Sequence, residues 1–224
     1  MPSPHRALSV AALAFLPLAA AAQEYQVGLA YTAVSTKYDY TGPGGAPPTY
    51  EPPGRSATAP SLFADVQAPI VPLFGFLLTG DLALRWPLGD DAGRIDVGAG
   101  ISRRIARGYL ALHYAMGSGV NGTGVLDDDW DFGVEGLRAI ARRGSVRADV
   151  WRLTREDRTR FFGGDDVRTF SRIGASVRWK MLGAEIERWR DDLESANGGR
   201  TLRDLNRLSI YVAIGQHEGA RGLW

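Results

Sequence analysis

One histidine in the middle of the sequence has the setting of a general base. His113 lies in a run of alternating apolar residues, and the alternation places it on the opposite face from Leu112 and Tyr114. Imidazole exchanges protons near neutral pH, so a histidine on a polar face is a candidate for acid–base chemistry. The alternative is a histidine that only hydrogen-bonds within a polar interior. The sequence alone leaves both readings open.

Charged residues share the polar face of the alternating runs. Charges removed from water must be paired or hydrated, so we expect carboxylates and guanidiniums on this face to pair with one another. Such a network either fills an interior structurally or lines a narrow pore with charges of both signs. The predicted members of the network are Asp81, Arg85, Asp96, His113, Glu135 and Arg147.

Acidic clusters in the predicted loops are candidates for cation binding. Asp127, Asp128 and Asp129 follow a glycine-rich stretch, and Asp127, Asp129 and Asp131 have the spacing of a calcium loop. Phe132, however, stands where such a loop needs glycine. The sequence therefore predicts a solvated outer-loop cluster, with divalent-cation bridging as the alternative, and it predicts no resident metal and no cofactor. Further acidic pairs in predicted loops are Asp90–Asp91, Asp165–Asp166 and Asp191–Asp192.

Strands of alternating polarity must position these residues. Between residues 76 and 116, apolar and polar side chains alternate over three runs separated by short breaks. This period is that of a strand with one apolar face. Phe76 and Trp86 share that face, and a strand tilted by about 40° separates them by about 25 Å, the height of a membrane barrel's apolar band between its aromatic girdles. The predicted girdle residues are Phe76, Trp86, Trp130 and Trp179.

The connections between the predicted strands alternate in length. About ten strands fit the chain, and eight is the alternative if the last three are misread. Long connections cover residues 38–60, 117–129, 156–168 and 191–206, and short turns lie between them. Short turns on one side and long loops on the other are typical of outer-membrane barrels. A soluble antiparallel sheet or lipocalin-like barrel that buries its apolar face is the competing interpretation.

The N-terminus and the composition restrict location and partners. Residues 1–22 have the features of a secretory signal peptide, which leaves residues 23–224 as a single barrel domain outside the cytoplasm. The chain has no cysteine, which excludes disulfides and thiolate metal sites. Its formal net charge of +1 gives a nucleic-acid partner no electrostatic support.

Over nearly its whole mature length the chain resembles the small outer-membrane β-barrel proteins of Gram-negative bacteria as a class. This resemblance implies an all-β fold, a transmembrane antiparallel up-and-down β-barrel. It also implies contacts with outer-membrane lipid and lipopolysaccharide, to which divalent cations at the acidic loops would bridge in the alternative reading of those loops. Members of the class end in an aromatic residue that the barrel assembly machinery reads. Trp224 resembles that residue, although Gln216 and Glu218 interrupt the alternation before it.

Enzymes of this class carry motifs that can be sought in the sequence. Lipid A deacylases have a His-x-Ser pair on a strand, but Tyr114 and Ala115 follow His113. Omptin proteases have an Asp-x-His couple, which this sequence lacks. The sequence therefore favours a non-enzymatic barrel with a structural or surface ligand-binding role. Tyr38, Tyr40 and Tyr50 in the first long loop either contact a partner or pack on the rim. A small pore is the alternative function, and a hydrolase of lipid A or peptides is the weaker one.

Overall fold

Ten antiparallel strands close into one barrel in the computed structural model, which describes residues 24–47, 54–88, 93–105, 108–120, 133–161 and 164–215. Each strand pairs with the next along the chain, and the last pairs with the first. This confirms the predicted all-β class and ten strands rather than eight. The strands are β1 (Glu24–Thr41), β2 (Arg55–Leu73), β3 (Phe76–Pro87), β4 (Gly93–Ile105), β5 (Gly108–Val120), β6 (Gly133–Arg143), β7 (Val146–Phe161), β8 (Gly164–Trp179), β9 (Leu182–Glu194) and β10 (Arg200–Ile214).

Several sequence predictions fall on other parts of the chain. The predicted signal peptide, Asp127–Asp129, Trp130 and Trp224 all lie outside the described residues. A 3-10 turn, Pro43–Gly45, follows β1. Within the described ranges, none of the helical structure has the length and apolarity that crossing a bilayer demands.

One side of the barrel wall is taller than the other. Within the described residues, β1, β2, β7 and β8 have 16 to 19 residues, whereas β3 to β6 have 11 to 13. Because β9 and β10 lie between β8 and β1 in the ring, the taller wall runs from β7 through β10 and β1 to β2. The predicted loops at 156–168 and 191–206 are largely strand. Between β9 and β10, the ion pairs Arg200–Asp192 and Arg203–Asp191 cross from strand to strand and support the ladder. Likewise, β1 continues to Thr41, so Tyr38 and Tyr40 lie on a strand rather than in a loop.

The outer face of the barrel is apolar and the inner face is largely polar. Ile210 is 64% exposed and Ile186 is 62% exposed, whereas their inward neighbours Ser209 and Glu187 are buried. A soluble barrel would bury such aliphatic side chains, so the burial is inverted relative to a water-exposed fold. Further outward apolar residues are Leu29, Leu62, Val97, Ile101, Leu110, Leu112, Met116, Leu137, Val150, Ile173, Val177, Leu208, Val212 and Ile214.

Part of the interior is packed with aromatic and aliphatic side chains. Trp189 and Leu205 are fully buried and belong to one cluster with Trp151, Leu153 and Phe170. On β9, Ile186 and Trp189 have opposite parity, and the isoleucine lies outside whereas the tryptophan lies inside.

Candidate functional site in the barrel interior

The structure places most of the predicted network residues inside the barrel. Asp81, Arg85, Asp96, His113 and Arg147 are all buried, and the most exposed of them retains 6% of its surface. They come from β3, β4, β5 and β7. Every one of them has an ion-pair or hydrogen-bonding partner within the barrel.

Glu135 does not belong to this interior set, and its predicted position was wrong. Its side chain is exposed on the outer face beside Leu137. The prediction treated Trp130 and Phe132 as outward residues and continued that alternation into β6, which would place Glu135 inside. From Gly133 onward, however, the buried residues are the even-numbered ones, such as Val134. On the outer face, the Glu135 carboxylate accepts a hydrogen bond from Tyr114. The inward charge on β6 is Arg138.

Direct ion pairs cross the middle of the lumen. Arg94 on β4 pairs with Glu187 on β9, and these strands stand opposite each other in the ring. The Glu187 carboxylate also accepts a hydrogen bond from Trp151 Nε1 at 3.0 Å. Arg94 reaches Glu185 as well, at 3.3 Å. Arg172 on β8 pairs across the lumen with Asp96 on β4. Opposite walls therefore touch through their side chains.

Arg85 extends this central cluster toward β2. Its guanidinium lies between the carboxylates of Asp65, at 2.8 Å, and Glu185, at 3.0 Å. All three side chains are at most 4% exposed. Arg207 approaches Glu187 at 3.7 Å. The central cluster thus combines four carboxylates, of residues 65, 96, 185 and 187, with four guanidiniums, of residues 85, 94, 172 and 207, so it is electrically balanced.

A second set of contacts closes the barrel at the start of β1. Glu24 is fully buried and accepts a hydrogen bond from Tyr109 at 2.6 Å. Three guanidiniums surround the same carboxylate, those of Arg178, Arg142 at 3.2 Å and Arg147 at 3.3 Å. Strands β1 and β6 are opposite in the ring, so the Glu24–Arg142 pair also spans the barrel. The lumen is therefore crossed at two levels.

His113 is held in a chain of hydrogen bonds. Its Nε2 lies 2.8 Å from the Thr79 hydroxyl, and its Nδ1 contacts the Asp81 carboxylate. The other oxygen of Asp81 accepts a hydrogen bond from Arg138 at 2.8 Å. Hydroxyl, imidazole and carboxylate have the order of a catalytic triad. Thr79 and His113 are both fully buried, however, so no substrate reaches them in this arrangement.

The three predicted girdle residues that the structure describes lie on the outer face at both ends of the barrel. Phe76 begins β3 and Trp179 ends β8, next to short turns, and they are 37% and 57% exposed. Trp86 lies at the other end of β3 and is partly exposed. The apolar band is therefore bordered by aromatic rings, as membrane interfaces favour.

A small cavity opens inside the taller wall. It has a volume of about 200 Å³ and is lined by the inward faces of β1, β8, β9 and β10. Asp191 lies at its base and binds two arginines, Arg168 at 2.8 Å and Arg203 at 2.9 Å. The rings of Tyr38 and Tyr40 are parallel on one side of it, with centroids 6.5 Å apart. The acidic pair Asp191–Asp192 is thus on a strand and ion-paired, not in a solvated loop as predicted.

A closed antiparallel barrel with an apolar outer face, aromatic borders and a charged interior is the architecture of outer-membrane proteins. The chain resembles an outer-membrane β-barrel. Among solved structures it is similar to the outer membrane protease OmpT from Escherichia coli, at 8% identity and a TM-score of 0.42, over 86% of this chain and 97% of that one. It is also similar to a mutant of the Rh. blastica porin, at 7% identity and a TM-score of 0.21, over 85% and 100% of the two chains.

These similarities concern the barrel architecture and assign no activity to this chain. Neither a protein-family model nor a curated protein sequence matches it. Across the described ranges, no three His, Asp or Glu side chains are grouped so as to hold a metal ion.

Sequence reasoning missed more of the interior charges than it found. Glu185 and Glu187 alternate with the outward Ile186, which is the signal that identifies them as inward residues. Asp65 has the same parity as the buried Phe63 on β2. The missed residues of the network are Glu24, Asp65, Arg94, Arg138, Arg142, Asp149, Arg172, Arg178, Glu185, Glu187 and Arg207.

Proposed function

We propose that this chain is an outer-membrane protein with a closed lumen, whose barrel anchors a surface binding role in the bacterial envelope. The observation that carries the proposal is the Arg94–Glu187 contact between opposite strands. A barrel of this size leaves little space beyond its own side chains, and here those side chains meet and neutralise one another. Transport of hydrated solutes would require the ion pairs to separate.

The orientation follows from the uneven wall. The taller wall and the long connections face outward from the cell, and the short turns that follow β2, β4, β6 and β8 face the periplasm. On the outer surface, above the apolar band, Arg188 and Arg190 share the carboxylate of Asp204 at 2.6 and 3.0 Å. Two guanidiniums with one carboxylate leave a net positive charge, which suits the phosphates of lipopolysaccharide or another outer-membrane lipid.

The remaining partners are proposed from the sequence. Asp127, Asp128 and Asp129 suit divalent cations that bridge to lipopolysaccharide, because carboxylates are the preferred ligands of such ions. Export by the signal peptide and insertion by the barrel assembly machinery, with Trp224 as the terminal aromatic residue, complete the proposed route to the membrane.

Gel mobility of the refolded chain tests membrane insertion. The mature chain, refolded into detergent, is expected to resist dodecyl sulfate and to migrate differently until boiled, with a β-type circular dichroism spectrum. A chain that stays soluble without detergent and runs identically before and after boiling contradicts the proposal. In that case the same strands would instead form a soluble sheet or lipocalin-like barrel that buries its apolar face.

A further inference from the structure

The inner face of the taller wall presents two rows of side chains to the outer mouth. In the lower row, Tyr38, Arg203 and Asp191 are direct neighbours across β1, β10 and β9. In the upper row, Tyr40, Thr201, Leu193 and Arg168 follow one another across β1, β10, β9 and β8. These seven residues line the cavity of about 200 Å³. Side chains from four strands therefore converge on one small space that is open to the mouth.

The two tyrosines supply parallel aromatic rings on one side of the cavity. Tyr38 and Tyr40 point inward from alternate positions of β1, and the angle between their ring planes is 8°. The two rings therefore offer a stacking surface beside the cavity. Aromatic rings of this kind bury the apolar face of a ligand while their hydroxyls remain available for hydrogen bonds. The ligand that suits them has a flat face of C–H groups or a planar ring.

The arginines supply charge and directed donors. Arg168 binds both oxygens of Asp191, at 2.9 and 2.8 Å, and remains 43% exposed. Arg203 donates to the same carboxylate, so two guanidiniums share one negative charge. Guanidinium forks recognise carboxylates, and the Asp191 oxygens and the Thr201 hydroxyl can accept hydrogen bonds from ligand hydroxyls.

We propose that this mouth cavity binds a single acidic sugar unit, such as a hexuronate. A pyranose acid combines the three features that the cavity matches, namely a C–H face for the tyrosines, a carboxylate for the arginines and hydroxyls for Asp191 and Thr201. Cavities for drug-sized ligands span roughly 300–1,000 Å³, so the smaller volume here selects one ring rather than an oligosaccharide. This inference rests on the proposed surface binding role and names its ligand class.

Binding of glucuronate to the full mature chain tests the inference. The chain is refolded in a detergent without a sugar headgroup, and glucuronate, glucose and acetate are each titrated while saturation transfer to the ligand protons is measured. We expect glucuronate to bind and both glucose and acetate to bind at least about tenfold more weakly, because glucose lacks the carboxylate and acetate lacks the ring face and the hydroxyls. Tyr40→Ala and Arg168→Gln should each weaken glucuronate binding by about tenfold or more.

Matched variants separate the cavity from the rest of the surface. Tyr31→Ala changes an outward tyrosine of the same strand, and Arg152→Gln changes an outward arginine of β7, so neither should alter glucuronate binding. The inference is overturned if glucuronate does not bind, if glucose or acetate binds equally well, or if the two cavity variants bind as the unmodified chain does. If the barrel is folded and heat-modifiable but does not bind glucuronate, only this inference is overturned. The proposed closed membrane barrel then still stands.

Discussion

Arg94 and Glu187 form an ion pair across the width of the barrel, from β4 to the opposite strand β9. Their side chains are at most 1% exposed, so the pair is shielded from solvent as well as central. Alternation in the sequence indicates only that the interior is polar. The structure shows in addition that this pair is a cross-brace between opposite strands. We therefore expect the lumen to stiffen the barrel rather than to conduct solutes.

Breaking this cross-brace on one side should be costly. Glu187→Ala leaves Arg94 buried without its partner and is expected to lower the free energy of unfolding by about 3–5 kcal/mol. Urea unfolding, followed by the loss of the unboiled gel band, measures the change. In Arg155→Ala, which breaks the exposed Arg155–Asp157 pair, the loss should stay below about 1 kcal/mol. Equal effects of the two variants would show that the lumen pair is hydrated.

Adjacent positions of β10 should report opposite environments. The chain has no native cysteine, so single cysteines can be labelled without background. A fluorophore at Ile210→Cys should be quenched strongly by brominated lipid, whereas one at Ser209→Cys should not, because the two side chains point to opposite faces. Similar quenching at both positions would contradict the assignment of the apolar face to lipid.

The buried histidine should behave as a structural residue. His113→Ala removes the hydrogen-bonding partner of Thr79 and one partner of Asp81, and it should destabilise the barrel by about 1–3 kcal/mol. Thr79→Ser, which keeps the hydroxyl, is the matched control and should have little effect. Urea midpoints measure both variants. If His113→Ala abolishes a hydrolytic activity toward lipid A or peptides while stability is unchanged, His113 is catalytic instead.

The ion pairs of Asp204 with Arg188 and Arg190, above the apolar band, should make a small, pH-dependent contribution to the free energy of unfolding. Burial raises the pKa of Asp204, but hydrogen bonds from Arg188 and Arg190 outweigh it and hold the pKa below the ordinary 3.8. A carboxyl group whose pKa is lowered by folding stabilises the folded state at pH values above its unfolded pKa. This stabilisation is lost as the pH falls through the folded pKa. Asp204→Asn should therefore be slightly less stable at pH 7 and indistinguishable from the unmodified chain in strong acid. A stability difference that persists in strong acid would refute this linkage.

Strand number and the lipid-facing side follow from the sequence because a strand's period of two is fixed by backbone geometry. Leu208 and Ile210 show this clearly, since each is outward and apolar as the alternation requires. The network was harder to predict, because alternation says which face a residue occupies but not which residue lies across the lumen. Arg94 and Glu187 are 93 positions apart and meet only once the ring has closed.

Two errors in prediction have local physical causes. Glu135 was misplaced because parity was carried into β6 from Trp130 and Phe132, whereas Val134 is the buried residue there. Tyr38 and Tyr40 were placed in a loop because the Pro- and Gly-rich segment that follows them has no strand signal. In the structure, β1 extends through both, and β10 pairs with them. Pairing with a distant strand is a tertiary effect that local composition does not encode.

Planar-bilayer recording of the purified, heat-modifiable chain tests the closed lumen most directly. The ion pairs between opposite strands predict no discrete conductance steps at neutral pH, from protein whose insertion is verified by lipid quenching at Ile210→Cys. The double variant Arg94→Ala/Glu187→Ala, which removes the brace, provides the comparison and should conduct if it inserts. Reproducible steps from the unmodified chain, with an ion selectivity that changes on charge reversal at Arg85 or Asp96, would contradict the closed lumen and establish a pore.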